Sequence, residues 1–167
     1  TQRYDFAARP GTHWMHSHHG LQEQALLAAP LVVRTEDDLR ADMQEATVLL
    51  HDFSFRPPEE VLAAVTKGSA TAHGGMSHGA HAGHGMAMPM DLNDFDYDAY
   101  LANDRTLSDP QVIRTERGGR VRLRLINGAT GTAFWIDTGS LAAQLVAVDG
   151  NPIAPLTVRR LPLAQGQ

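Results

Sequence analysis

Apolar and polar residues alternate along much of this chain, with the period of two that is typical of β-strands with one buried face. In residues 120–127, Val121, Leu123 and Leu125 share one face, and the arginines between them are expected to face solvent. Similar runs, bounded by turn-forming residues, predict further strands. These runs are residues 1–7, 11–19, 30–35, 46–55, 111–115, 134–137, 145–150 and 157–163.

One stretch has the features of a helix instead. Pro57, Pro58 and two acidic residues precede a run of apolar and small residues, and proline and acidic side chains both favour the first turn of a helix. Gly68 is expected to end this short helix. The pattern as a whole therefore predicts an all-β protein built of sandwiches, with one short helix.

Length, charge and composition narrow the class of protein. The chain has 167 residues, which is enough for one domain or parts of two. Its formal net charge of -5 disfavours a nucleic-acid partner. No apolar run approaches the roughly 18 residues that would span a membrane. The chain begins with Thr1, so we expect the natural N-terminus to lie upstream. Without cysteine, the chain forms neither disulfides nor thiolate metal sites.

The histidines of residues 11–22 carry the strongest chemical signal. His16 and His18 are two positions apart, so in an extended strand both project from one face, together with Trp14. Two neighbouring imidazoles bind copper, zinc, iron or nickel. His13 and His19 are expected to point to the opposite face. The spacing alone therefore predicts a transition-metal site without identifying the metal.

The flanking residues make the prediction more specific. The stretch Gly-Thr-x-Trp-x-His-Ser-His-x-Gly-Leu-Gln, residues 11–22, resembles the second copper-binding motif of the multicopper oxidases, the laccase and copper-resistance oxidase family. The resemblance implies that His16 and His18 each bind one of the paired type 3 coppers of a trinuclear cluster, with Trp14 and Gln22 next to these ligands. Met15 departs from the family, which more often has an aromatic residue there.

The resemblance continues through the rest of the chain. Residues 100–105, 124–127 and 146–152 are similar to segments of the second domain of these oxidases. The implied fold is a cupredoxin-like Greek-key β-sandwich, with a partial first domain at 1–36, a linker at 37–45 and a second domain at 46–167. We interpret the acidic residues of the linker as a solvated charged run.

The implied activity is one-electron oxidation of a reducing substrate, a phenol or Cu(I), coupled to four-electron reduction of O2 to water. The family's other cluster ligands, including a His-Cys-His segment, are expected before Thr1 and after Gln167. No catalytic residue is predicted beyond the metal ligands, and the fragment alone is expected to be inactive. A type 1 copper site needs a cysteine and is absent from this chain. The family implies a periplasmic or otherwise extracytoplasmic location.

Residues 69–90 form a low-complexity insertion in the predicted second domain. Thioether and imidazole groups together favour copper, and similar insertions in the copper-resistance branch are associated with extra copper. The candidate auxiliary ligands are His73, Met76, His78, His81, His84, Met86, Met88 and Met90. The alternative is a flexible glycine-rich linker with incidental histidine and methionine.

Two other classes of function remain open. One is a non-catalytic, periplasmic copper-binding protein that sequesters or passes on Cu(I) through the Met/His-rich segment. The other is a small β-sandwich that binds zinc or nickel through His16 and His18 without redox chemistry. His51 lies among apolar neighbours and is interpreted as packed or surface-exposed rather than as a ligand. The aspartates at 91–98 lack the glycine and glutamate of a calcium loop.

Overall fold

The computed structural model describes residues 3–72 and 95–167 of the chain. Within these residues, strands predominate and only two helices occur. The strands are β1 (Gly11–His16), β2 (Ala28–Val33), β3 (Gln44–Phe53), β4 (Ala99–Ala102), β5 (Val121–Asn127), β6 (Phe134–Asp137), β7 (Ala143–Val148), β8 (Asn151–Val158) and β9 (Arg160–Leu163). The helices are α1 (Glu36–Arg40) and α2 (Pro58–Ala72). The prediction of a mostly β protein is confirmed.

The strands pair in four small sheets. β1 and β2 form an antiparallel hairpin, and β3 lies between β4, which is antiparallel to it, and β5, which is parallel. β6 pairs with β9, and β7 pairs with β8 through a tight turn at Asp149 and Gly150, both with positive φ. A parallel pair such as β3 and β5 requires a long crossover, and residues 54–120 supply it.

The buried core draws its residues from α2, β3, β4, β5, β9 and the segment that follows β5. Its buried apolar side chains are Ala46, Leu49, Val61, Leu101, Ile126, Ala129 and Leu163. α2 begins at Pro58 and carries Glu59 and Glu60 in its first turn, as capping preferences favour. It continues to Ala72, so the prediction that Gly68 ends the helix is wrong. A single glycine costs a helix only about 1 kcal/mol relative to alanine, and four alanines, which favour a helix, lie within five positions of this one.

The arginines of β5 do not face solvent, contrary to the prediction. Arg124 is only 8% exposed, whereas Leu123 on the other face is 55% exposed. Arg124 donates to the Glu45 carboxylate at 2.5 Å, and Arg34 donates to the same carboxylate at 2.7 Å. Ion pairing with carboxylates of neighbouring elements compensates the burial of these charges, which alternation along one strand cannot reveal.

The acidic stretch is also more structured than predicted. Thr35 caps α1 in a capping box with Asp38, and Asp38 pairs with Arg122 of β5. The backbone hydrogen bond at Thr35 and the Arg122 guanidinium lower the pKa of Asp38 to about 2. Burial alone raises the pKa of Glu45, but the hydrogen bonds from Arg124 and Arg34 outweigh it and lower that pKa. The division of the chain into two domains stays a prediction.

Two predicted strands are absent. Residues 3–7 are irregular, and the side chains of Tyr4 and Phe6 are largely exposed. Residues 111–115 are likewise irregular and exposed. A strand needs a neighbouring strand to pair its backbone groups, and local alternation does not guarantee one. None of the helices in residues 3–72 and 95–167 is long and apolar enough to cross a membrane.

Candidate metal centre

The hairpin of β1 and β2 positions the predicted ligands. β1 begins at Gly11, where an added Cβ would lie 2.6 Å from the carbonyl oxygen of Gly150 and where φ is +136°. Only glycine allows this close approach to the β7–β8 turn. β1 ends at His16, which pairs with Ala28 in the register of the hairpin. His16 therefore stands at the end of the strand pair that the loop of residues 17–27 connects.

Three aromatic rings lie side by side at this end of β1. The rings of Trp14 and His16 are stacked, with centroids 4.0 Å apart and an interplanar angle of 15°. The rings of His16 and His18 are 4.4 Å apart and tilted by 45°. The same-face arrangement that the i, i+2 spacing predicted is present, although His18 lies just beyond the end of β1.

A carboxylate that the sequence did not indicate completes the group. Glu23 Oε2 lies 3.1 Å from Nδ1 of His16, and both side chains are partly buried. The Nδ1 atom itself is buried and forms no hydrogen bond of good geometry within the described part of the chain. Glu23 lies in a turn, seven positions after His16. The only sequence signal for this contact is an acidic residue directly after the motif of residues 11–22.

The segment between the two strands is held by its own hydrogen bonds. The Ser17 amide donates to the Leu27 carbonyl at 3.1 Å, and the Leu27 amide donates to the Gln22 carbonyl at 3.0 Å. The Ser17 hydroxyl donates to the Gln22 side chain at 2.7 Å and accepts from the His19 amide at 3.1 Å. Gln22, predicted to lie next to the ligands, thus supports the loop through Ser17.

A second polar cluster anchors this loop to the central sheet. The Asp52 carboxylate, 1% exposed, accepts hydrogen bonds from the amides of Thr130 and Gly131 and from the hydroxyl of Thr132. The Thr130 hydroxyl contacts both Asp52 and the side-chain amide of Gln24 in the loop of residues 17–27. Burial raises the pKa of Tyr97, which lies next to this cluster.

The other histidines are placed separately. His13 hydrogen-bonds through Nε2 with the Arg9 carbonyl at 2.9 Å, outside the ring array. His51 is 2% exposed and packs beside Gly128, so of the two placements left open by the sequence, packed or surface-exposed, the packed one is observed. The auxiliary candidates all lie outside the described residues: His73, Met76, His78, His81, His84, Met86, Met88 and Met90.

The donor set of the array suits a transition metal. Neutral imidazole is a ligand for copper and zinc alike, and two imidazoles stand together here, with the buried Nδ1 of one facing a carboxylate. Within residues 3–72 and 95–167, no group of three or more His, Cys, Asp or Glu side chains is arranged to hold a metal ion. A metal at His16 and His18 therefore needs further ligands from elsewhere.

Comparisons with known proteins agree on one family. The multicopper oxidase family profile matches residues 46–167. Multicopper oxidase MmcO of Mycobacterium tuberculosis is 29% identical over 158 residues, which cover 91% of this chain and 31% of MmcO. Copper resistance protein A of Escherichia coli is 28% identical over 188 residues, covering 98% of this chain and 31% of that protein.

The fold is also similar to that of a solved structure. The crystal structure of a blue copper oxidase from Nitrosomonas europaea superposes with a TM-score of 0.63 and 22% identity, covering 96% of this chain and 44% of that one. At this identity the likeness shows the cupredoxin-like β fold alone. The chain spans about a third of the length of the two curated relatives, at 31% of each.

Proposed function

The chain belongs to the multicopper oxidase family, and on that premise we propose that it is part of a copper-dependent oxidase. In this proposal His16 and His18 hold the paired type 3 coppers of a trinuclear cluster. The other cluster ligands come from parts of the protein outside these 167 residues. The protein couples oxidation of a phenol or of Cu(I) to the reduction of O2 to water.

The observation that carries the proposal is the array of Trp14, His16 and His18. Its ring centroids are 4.0 and 4.4 Å apart, so the fold of this chain itself holds the two imidazoles side by side. Such preorganisation lowers the entropic cost of assembling a site. The stacked Trp14 restricts rotation of the His16 ring and shields one of its faces from water.

The residues of this chain hold and orient the metal. Copper bound here supplies one-electron transfer and, with the rest of the cluster, reduction of dioxygen. His16 and His18 provide ring nitrogens, and the loop of residues 17–27 keeps the two rings together. Because the chain contains no cysteine, the site that accepts electrons from the substrate belongs to another part of the protein. The proposal places the protein outside the cytoplasm, from the family alone.

Replacing both ligands tests the proposal. In the full-length oxidase, His16→Ala/His18→Ala is expected to remove the paired coppers, their near-ultraviolet absorption band and O2 consumption. His19→Ala is the matched control, since its side chain belongs to the same stretch and is not part of the ring array. Copper content by mass spectrometry, absorption spectra and O2 uptake measure the three effects on one sample.

Other results of the same experiment point to other functions. A double variant that keeps its copper, its band and its O2 uptake would overturn the role of these histidines. A wild-type protein that binds zinc or nickel in preference to copper would favour a redox-inactive metal site. A protein that binds Cu(I) but never consumes O2 would favour the non-catalytic, sequestering alternative.

We propose auxiliary copper binding for the Met/His-rich segment. Its eight candidate ligands fall within residues 73–90, among glycine and alanine, and thioether with imidazole suits copper in either oxidation state. Deleting residues 73–90 is expected to lower the copper content while leaving the midpoint of thermal unfolding unchanged. The control is a segment of equal length with each His replaced by Asn and each Met by Leu. An unchanged copper content in both variants would show that the segment is only a linker.

A further inference from the structure

Glu23 is a charged side chain next to the predicted ligand pair, and the proposed function does not use it. The backbone turn of residues 20–26 returns it to His16, with the Leu26 amide donating to the Glu23 carbonyl at 2.9 Å. The carboxylate then stands 3.1 Å from Nδ1 of His16, with 29% of its side chain exposed. The fold thus places a negative charge against one specific nitrogen of one ligand.

This contact restricts where the proton of the imidazole ring can be. A neutral imidazole carries one N–H and one nitrogen lone pair. If Nδ1 of His16 held the lone pair, it would face a carboxylate oxygen at 3.1 Å, and two acceptors at that distance repel each other. The repulsion is strong because Nδ1 is buried and has no hydrogen bond within the described residues. The arrangement therefore favours the proton on Nδ1.

With the proton on Nδ1, the lone pair of His16 is on Nε2. A metal ligand needs that lone pair, and which nitrogen offers it is set by the partner of the other nitrogen. We infer that Glu23 is a positioning residue that holds His16 in the Nδ1–H tautomer and so presents Nε2 to copper. This inference rests on the proposed function, and it adds a residue to the site that the histidine motif does not contain.

Trp14 acts together with Glu23 in this arrangement. A tautomer is useful only if the ring also keeps its orientation, and the stack with Trp14 at 15° opposes a flip that would exchange the two nitrogens. Partners of this kind typically contribute 10- to 100-fold in metal affinity. We expect Glu23 to contribute within that range, since its carboxylate lies 3.1 Å from Nδ1 although the contact is not an ideal hydrogen bond.

The tautomer can be measured without any metal. In the metal-free, 15N-histidine-labelled protein at about pH 8, where imidazole is neutral, long-range 1H–15N spectra distinguish Nδ1–H from Nε2–H. His16→Ala identifies the His16 signals. Wild type is expected to show His16 as Nδ1–H, and Glu23→Leu is expected to show a mixture of tautomers. Glu23→Gln retains an acceptor oxygen and is expected to restore the Nδ1–H form in part.

Copper affinity provides the second measurement. By competition with a chromogenic chelator, Glu23→Leu is expected to bind copper about 10- to 100-fold more weakly than wild type, with Glu23→Gln between them. Glu59→Leu, which removes an exposed carboxylate from α2, is the control and should change neither property. Circular dichroism of each variant checks that the fold is retained.

The outcomes separate this inference from the proposed function. If Glu23→Leu leaves both the tautomer and the copper affinity unchanged while His16→Ala loses copper, Glu23 has no positioning role and the proposed function stands. If His16→Ala keeps its copper, the proposed function fails and the inference fails with it, whatever the tautomer. Nδ1–H in wild type, lost in Glu23→Leu together with affinity, supports both.

Discussion

Replacing Asp52 with alanine is expected to lower the free energy of unfolding by about 3–5 kcal/mol, because each buried donor left without an acceptor costs about 1–3 kcal/mol. The carboxylate accepts from the backbone amides of Thr130 and Gly131, at 3.0 and 2.8 Å. It also accepts from the hydroxyls of Thr130 and Thr132, at 3.1 and 2.9 Å. Asp52 is 1% exposed and Thr132 is buried too, so water does not readily replace the bond between them, whereas Thr130 and Gly131 are exposed.

Two further variants test this explanation. Asp52→Asn keeps one acceptor oxygen and the shape of the side chain, so its loss should be smaller than that of Asp52→Ala. Asp98→Ala is the control, because Asp98 also accepts from an amide and a hydroxyl, those of Phe55 and Ser54, but at the surface. Chemical denaturation followed by tryptophan fluorescence measures all three. Equal losses for Asp52→Ala and Asp98→Ala would contradict the role of burial.

The Asp52 cluster also contacts the loop of residues 17–27. Thr130 contacts the side-chain amide of Gln24, one position after Glu23, so loss of Asp52 releases the anchor that fixes this turn. Amide hydrogen exchange in residues 20–26 should accelerate in Asp52→Ala more than exchange in the distant hairpin of β7 and β8. Protection that falls equally in both places would indicate only global destabilisation.

The sequence predicted the part of the site that is local. His16 and His18 share a face because successive side chains of an extended chain alternate, and this depends on no other element. The motif around them identified the family that the comparisons show. For His51 the sequence left a packed and a surface position open, and the histidine is buried at 2% exposure. The role of His16 and His18 as copper ligands stays a prediction.

The contacts that fix the site came from elsewhere in the fold. Glu23 reaches His16 only because of a turn with positive φ at Gly20 and Leu26, which residue types alone did not indicate. Arg124 was assigned to the wrong face because alternation gives the two faces of a strand but not which face is covered. The partner that decides it, Glu45, is 79 positions away. Long-range ion pairs of this kind leave no periodic signal.

The polar contacts of Asp52 and those of Glu45 both link the hairpin of β1 and β2 to the sheet of β3, β4 and β5. Asp52 does so through Thr130 and Gln24, and Glu45 does so through Arg34 of the chain after β2 and through Arg124. Arg124 also donates to the hydroxyl of Thr12 in β1 at 2.9 Å. These buried or half-buried polar contacts therefore help to set the position of His16 and His18 relative to β3 and β5.

Glu45→Ala is accordingly the second variant with a large expected effect. It leaves Arg124, 8% exposed, without its counter-charge, and removing one partner of a buried ion pair costs about 3–5 kcal/mol. Arg34 is exposed and Arg122 keeps Asp38 as a partner, so Arg124 accounts for most of the loss. Glu36→Ala, which removes an exposed partner of Arg40, is the control and should have a small fraction of the effect.

The pH dependence of unfolding gives an independent measurement of the same pair. The folded protein lowers the pKa of Glu45 below its ordinary value of 4.5, so the unfolded chain binds the proton first as the pH falls. The stabilisation is complete above that ordinary value and is lost progressively in more acidic solution. Glu45→Ala should flatten this acid limb of the stability curve, whereas Glu36→Ala should leave it as in wild type.

A double variant separates the cost of an unpaired charge from the value of the pair itself. Replacing both partners of a buried ion pair with apolar residues of similar size is often neutral or stabilising. Glu45→Leu/Arg124→Met is therefore expected to regain most of the stability that Glu45→Ala loses, while still lacking the bond from Arg124 to Thr12. A double variant no more stable than Glu45→Ala would mean that the pair itself, rather than relief of an uncompensated charge, stabilises this junction. If stability returns but copper binding does not, the bond to Thr12 orients β1 and its histidines.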